Sequence, residues 1–177
     1  MITKEINLYE FDELTDKVKK KVRENMNDIV NMDWHDFVEC DFIENNKENG
    51  YDIKHIYFDI GRGNYAIFEA DFDIEKFCNS QEVKITPKIQ KMIDEGVVIT
   101  KISCYYGSMS IEYEGDENTE TEKLLAKIRE FTAELASNLM TNLKDEWDNV
   151  NSDEYIDEFI KSNEYTFREN GEMESVE

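Results

Sequence analysis

Leu124, Ile128, Phe131, Leu135, Leu139, Leu143 and Trp147 recur at intervals of three or four residues. That spacing puts all seven on one stripe of a single long α-helix. Such a helix gains most of its stability by packing its apolar face, so the chain must supply a surface to cover. Two hairpin patterns upstream provide it. Residues 53–60 and 65–74 flank Gly61-Arg62-Gly63-Asn64, a turn signal because glycine accepts positive φ. In the second segment Ala66, Phe68, Ala70 and Phe72 fall on one face, and Glu69, Asp71 and Asp73 on the other. That alternation fits an antiparallel sheet with one wet face. Residues 97–105 and 108–113 read as a second hairpin turning near Gly107.

Shorter helices surround these hairpins. Thr15 is placed to cap a helix with Val18, Val22, Met26 and Ile29 on its apolar face. Asp33 is placed to cap a second helix, burying Trp34, Phe37, Val38 and Phe42 and ending at Asn49-Gly50. Pro87 opens a short helix to Glu95, stopped by Gly96, and Ser152 caps another that buries Tyr155, Ile156, Phe159 and Ile160. Residues 2–9 read as a first strand, 164–168 as a last one, and 171–177 as a frayed tail. The expected fold class is α+β: an antiparallel sheet of about four to six strands, with two central hairpins and long amphipathic helices packed on one face. One proline and seven glycines leave little material for a linker, so residues 1–170 are expected to form a single domain.

Charge bears on function more than on fold. The 177 residues hold 42 acidic and 20 basic side chains, a net charge of −22. A small domain usually stays within about 2–8 charges of neutrality. Hydrophobic residues at 40% and aromatics at 12% distinguish the chain from an acidic disordered tail. Binding to DNA, RNA or an anionic membrane needs a basic patch, which this balance opposes. The acid gathers toward the C-terminus, where residues 112–177 hold 20 acidic and 6 basic side chains. It is densest at Asp145, Glu146, Asp148, Asp153, Glu154, Asp157 and Glu158, the expected partner-binding residues. Carboxylates stepping along a helix every ~5–6 Å imitate a phosphate track, since DNA carries one charge per ~1.7 Å of its axis. The plainer reading is a solvated face that confers solubility. The first helix runs basic, with Lys17, Lys19, Lys20, Lys21 and Arg23, and reads as an ordinary wet face.

Reactive constellations are thin. His35 and His55 are the only histidines and have no zinc-ligand spacing. Cys40, Cys78 and Cys104 form no C-x-x-C pair and read as reduced thiols. Asp73, Glu82 and Lys84 trace the outline of a metal-dependent nuclease site, which chance readily produces in a chain that is 35% charged. Residues 71–75 resemble part of a calcium loop but lack its glycine and alternate like a strand. Gly61-Arg62-Gly63 is too short to cradle phosphate, and a nucleotide sponge would need a cationic pocket that no residues supply. The expectation is no enzyme, with no catalytic, cofactor-binding or metal residues and no cofactor. Residues 1–5 lack a signal-peptide pattern and no apolar run is long enough for a membrane span, which points to the bacterial cytoplasm.

Three stretches carry a resemblance. They are Leu8-Tyr9-Glu10-Phe11-Asp12-Glu13-Leu14-Thr15 opening a helix, Ile56-Tyr57-Phe58-Asp59-Ile60-Gly61-Arg62 before an acidic strand, and Ser152-Asp153-Glu154-Tyr155-Ile156-Asp157-Glu158 leading to Asn163-Glu164-Tyr165-Thr166-Phe167 and Gly171. Together they resemble a group of small acidic phage and prophage proteins labelled as antitoxins of toxin–antitoxin stability systems. The resemblance spans most of the chain, rests on structural motifs and implies a phage or mobile-element setting. With the charge, it leads to the expectation of an inhibitor that mimics DNA or RNA. Its expected partner is a basic nucleic-acid-binding host protein: a CRISPR effector, a restriction enzyme or, for an antitoxin, a toxin. Reversing Asp153, Glu154, Asp157 and Glu158 to lysine is expected to abolish inhibition while the fold survives. Trp147→Ala is expected to unfold the chain.

Overall fold

The computed structural model describes residues 6–94, 103–105, 108–110 and 119–174. The elements in chain order begin with β1 (Tyr9–Glu10), α1 (Asp16–Val30), α2 (Asp36–Asn46), β2 (Tyr51–Asp59) and β3 (Tyr65–Phe72). There follow α3 (Ile74–Ser80), α4 (Pro87–Asp94), β4 (Ser103–Tyr105), β5 (Ser108–Ser110), α5 (Thr119–Val150), α6 (Asp153–Ser162), β6 (Thr166–Phe167) and β7 (Met173–Glu174). The fold is α+β, as expected. Among the described residues the strands divide into three small antiparallel sheets, β1-β6-β7, β2-β3 and β4-β5, where one larger sheet was expected. The chain clusters into two compact units, Met1–Trp34 with Asp145–Glu177, and His35–Lys144.

In the first unit Phe11, Leu14, Val22, Met26, Val30, Val150, Ile156, Ile160 and Phe167 form one buried cluster. Trp34 and Trp147 meet edge to face with ring centroids 5.3 Å apart. Ser152 caps α6 as expected, its Oγ accepting the Tyr155 N–H at 3.2 Å. Thr15 occupies the cap position of α1 without a side-chain hydrogen bond. On α1 the buried positions are Val22, Met26 and Val30, and Ile29 is exposed. The first strand is shorter than expected: β1 covers Tyr9–Glu10, because its partner β6 offers two residues for pairing. Ile6 and Leu8 precede it and are exposed; residues 1–5 lie outside the described residues. The chain past Gly171 does not begin to fray where expected. Gly171 is buried at φ +82, where an added Cβ would sit 3.0 Å from Val18 Cγ1, and Met173 then pairs with Phe167.

In the second unit the β2–β3 hairpin forms with Asp59 opposite Tyr65 and a register shift between Ile53 and His55. Ala66, Phe68, Ala70 and Phe72 all point inward, as the alternation requires. The turn differs in detail. The left-handed residue is Asn64, at φ 45, and the Asp59 carboxylate accepts the N–H groups of Gly61 (2.8 Å) and Gly63 (3.1 Å). Tyr51 is fully buried among Phe68, Phe72, Phe77 and Phe131, so α5 covers this hairpin as the stripe predicts. Helix α2 begins later than expected, with His35 at its cap position; Asp33 instead takes left-handed backbone at φ 56. Phe42 is buried there, but Phe37 is 78% exposed. Residue 74 leaves the strand: Asp73 caps α3 by accepting the Lys76 N–H at 3.0 Å. The second hairpin is present as β4 and β5, with Cys104 opposite Met109. Its remaining expected residues, and the helix stop at Gly96, lie outside the described residues.

Candidate functional site

The seven expected partner-binding carboxylates all belong to the first unit, on the last turns of α5 and the first turns of α6. Their positions follow from helical period. Leu143 and Val150 are buried, so Asp145 and Asp148 fall on the opposite, exposed side of α5, while Glu146 flanks the core and is half-buried. On α6 the buried positions are Ile156 and Ile160, which turns Glu154 and Glu158 outward. Asp157 lies at the edge of the buried stripe.

Two of the seven are committed inside the unit. Arg23 of α1 donates from Nε to Asp157 Oδ1 at 2.6 Å and from Nη2 to Asp157 Oδ2 at 2.7 Å. Its Nη1 donates to Asp153 Oδ2 at 2.9 Å. The side chains of Arg23 and Asp157 are 23% and 24% exposed, so this bidentate pair is largely screened from water. Its hydrogen bonds raise the Arg23 guanidinium further above its ordinary range. The same guanidinium lies 5.7 Å from the Phe11 ring centroid. Glu146 accepts a long bond from the Asn149 amide at 3.4 Å. Asp145, Asp148, Glu154 and Glu158 make no ion pair among the described residues.

Arg23 was missing from the sequence reading of this face. Its partners lie 130 and 134 residues away, and the only local hint is that Asp153 and Asp157 stand one helical turn apart. A second pair, Lys161 Nζ to Asp12 Oδ1 at 2.9 Å, ties α6 to the segment after β1. It lowers the Asp12 carboxyl and raises the Lys161 ammonium through their hydrogen bond.

The other candidates occupy local structural positions. Asp73 caps α3 and Glu82 follows its far end at φ 51, so a helix separates their backbones by about 10 Å. The structure does not bring Asp73 and Glu82 together. No group of three or more His, Cys, Asp or Glu side chains among the described residues could hold a metal ion. His35 packs edge-on against Phe58, with Nδ1 2.9 Å from Glu39 Oε1, and His55 lies beside Tyr57. Cys40 is an exposed free thiol; Cys78 is buried, and burial pushes its thiol up. No helix among the described residues is long and apolar enough to cross a membrane. Comparison with protein-family models, with curated proteins and with solved structures gives no match to this chain.

Proposed function

We propose that this chain is an acidic inhibitor that occupies the basic nucleic-acid groove of a host protein, as a mimic of DNA or RNA. The observation that carries the reading is a division of labour among the seven carboxylates of α5 and α6. Arg23 pairs with half-buried Asp157 and with exposed Asp153, while Asp145, Asp148, Glu154 and Glu158 face water with no cationic neighbour in bonding range among the described residues. On each helix the outward pair is separated by one turn, about 5–6 Å, a spacing that suits successive arginines or lysines of a groove. A net charge of −22 steers such a partner in and makes the complex salt-sensitive. The reading places the encounter in the bacterial cytoplasm and assigns the chain no reaction, metal or cofactor.

The internal pair also refines the expected mutant. Reversing Asp157 to lysine sets it against Arg23 and confounds loss of binding with loss of stability. The cleaner set is Asp145, Asp148, Glu154 and Glu158. The test immobilises the chain, exposes it to bacterial lysate and elutes with duplex DNA. Each eluted protein is then assayed for nucleic-acid binding with and without free chain. The reading expects a basic protein that loses nucleic-acid binding at stoichiometric chain and keeps it when those four residues are lysine. A partner whose nucleic-acid binding is untouched by saturating chain contradicts it.

A further inference from the structure

We propose that Asn170 is a self-modification site: it deamidates in the folded protein, and the conversion unseats β7. The sequence supplies its own control. Glu48-Asn49-Gly50 and Glu169-Asn170-Gly171 are the same tripeptide, so any difference in their reactivity comes from the fold. In either pair the glycine nitrogen loses its proton and attacks the asparagine side-chain carbonyl carbon. A new N–Cγ bond closes a cyclic imide, and the Cγ–Nδ2 bond breaks to release ammonia. Water then opens the imide at one of its two carbonyls, leaving aspartate or isoaspartate. Glycine hinders the attack least, because it has no Cβ beside its nitrogen.

The surroundings of Asn170 assist this chemistry. The residue is exposed to water. Its Oδ1 accepts the Glu172 N–H at 3.1 Å, a donor that stabilises negative charge on that oxygen as the nitrogen adds to Cγ. Its backbone oxygen accepts a bond from Lys21 Nζ at 2.9 Å. That oxygen shares the charge when the Gly171 N–H ionises, so the ammonium makes the nucleophile easier to form. One contact opposes the attack: the Gly171 N–H donates to the Arg168 carbonyl at 2.9 Å and must let go first. The bond belongs to a turn whose second strand, β7, is two residues long, so its opening is a local event. Asn49 is held more firmly. It is half-buried at the end of α2, and Gly50 is buried with its N–H on the Lys47 carbonyl at 3.2 Å and its carbonyl on the Asp73 N–H at 2.8 Å.

The product no longer fits its seat. Gly171 is buried at φ +82 against Val18 and Val22, and an isoaspartyl link lengthens the backbone immediately before it. Either product places a new carboxylate between Glu169 and Glu172, where like charges repel. β7 then loses its register with β6. A groove of about 300 Å³, lined by Met26 and Ile29 of α1 and by Phe167 and Met173, opens to water.

The test ages the whole chain in mildly alkaline ¹⁸O-water and locates each hydrolysed imide by peptide mass spectrometry. In the folded chain the label should appear at Asn170 well before Asn49; in urea the two sites should convert at similar rates. Lys21→Gln keeps a donor near the Asn170 carbonyl and removes the charge. It should slow conversion at Asn170 by about two- to fivefold in the folded chain, the range of a surface charge pairing, and leave the rate in urea unchanged. The converted chain should unfold at lower urea by tryptophan fluorescence, while an Asn170→Gln chain aged beside it keeps its midpoint. Equal labelling of the two sites in the folded chain, conversion no slower in Lys21→Gln, or an unchanged midpoint in the converted chain each overturn the proposal.

Discussion

Replacing Arg23 with methionine keeps an unbranched aliphatic side chain and removes the guanidinium, whose Cζ lies 5.7 Å from the Phe11 ring centroid. Two charge-assisted bonds to Asp157 are lost, at 2.6 and 2.7 Å, and a carboxylate only 24% exposed is left unpaired. Bonds to charged groups contribute about 1.5–3 kcal/mol when screened and under about 1 kcal/mol at the open surface, so the expected loss is about 2 kcal/mol. Asp153 is 69% exposed and makes one contact, and Asp153→Asn should cost less than about 1 kcal/mol. Trp34 and Trp147 are the only tryptophans and both belong to the first unit, so their fluorescence in urea reports that unit. With a slope of about 2 kcal/mol per molar urea, Arg23→Met should move the midpoint down by about 1 M. A double-mutant cycle with Asp157→Asn should give a coupling of about 1–2 kcal/mol, little reduced by salt. Coupling below about 0.5 kcal/mol, or an Asp153→Asn loss as large as that of Asp157→Asn, would refute the assignment of Asp157 as the carboxylate that holds Arg23 in the fold.

In the second unit, Thr132 Oγ1 donates to the Ile128 carbonyl at 2.7 Å, which makes Tyr51 the donor in its 2.7 Å bond to Thr132. Tyr51→Phe should therefore cost about 1 kcal/mol and Thr132→Val about 2–3 kcal/mol, since the latter strands a buried hydroxyl; by urea denaturation the double variant should cost less than the sum. Burial raises the Tyr51 pKa well above its usual value, so both states are neutral below about pH 10 and only the unfolded state ionises just above it. Stability should then fall by about 1.4 kcal/mol per pH unit as pH climbs past about 10, a loss that Tyr51→Phe removes in urea titrations at stepped pH. Gly50 sits at φ +87, and a Cβ there would lie 2.4 Å from the Asp73 carbonyl oxygen. Gly50→Ala should cost more than about 1 kcal/mol by urea denaturation and speed hydrogen exchange at the Asp73 amide, which donates to the Gly50 carbonyl.

Periodicity made the large elements legible. The α5 stripe and the inward face of β3 repeat often enough to outweigh local composition, and Leu124, Ile128, Leu139, Leu143 and Phe68 are buried as the spacing requires. Single positions were harder. Asp73 continues the polar alternation of β3, yet the same carboxylate is free to cap a helix, and the bond to Lys76 N–H decides between the two. Phe37 is apolar and exposed, so type alone misplaces it on α2. The turn after β2 looks like a glycine turn, but its left-handed position falls on Asn64. The two units leave no mark at all: one junction lies between Trp34 and His35, the other inside α5 between Lys144 and Asp145, and neither carries glycine or proline. Along α5 and α6 density located the carboxylates, but only the fold separates those bonded to Arg23 from those that make no ion pair among the described residues.

The central claim is most directly tested by the dissociation constant of the captured complex, measured against salt. The comparison is between the native chain and a variant with Asp145→Asn, Asp148→Asn, Glu154→Gln and Glu158→Gln. The account predicts a steep loss of affinity with rising salt for the native chain. The variant should show a shallower slope and at least about tenfold weaker binding at low salt, with an unchanged urea midpoint. Equal affinity and equal salt slope in the two proteins would contradict it.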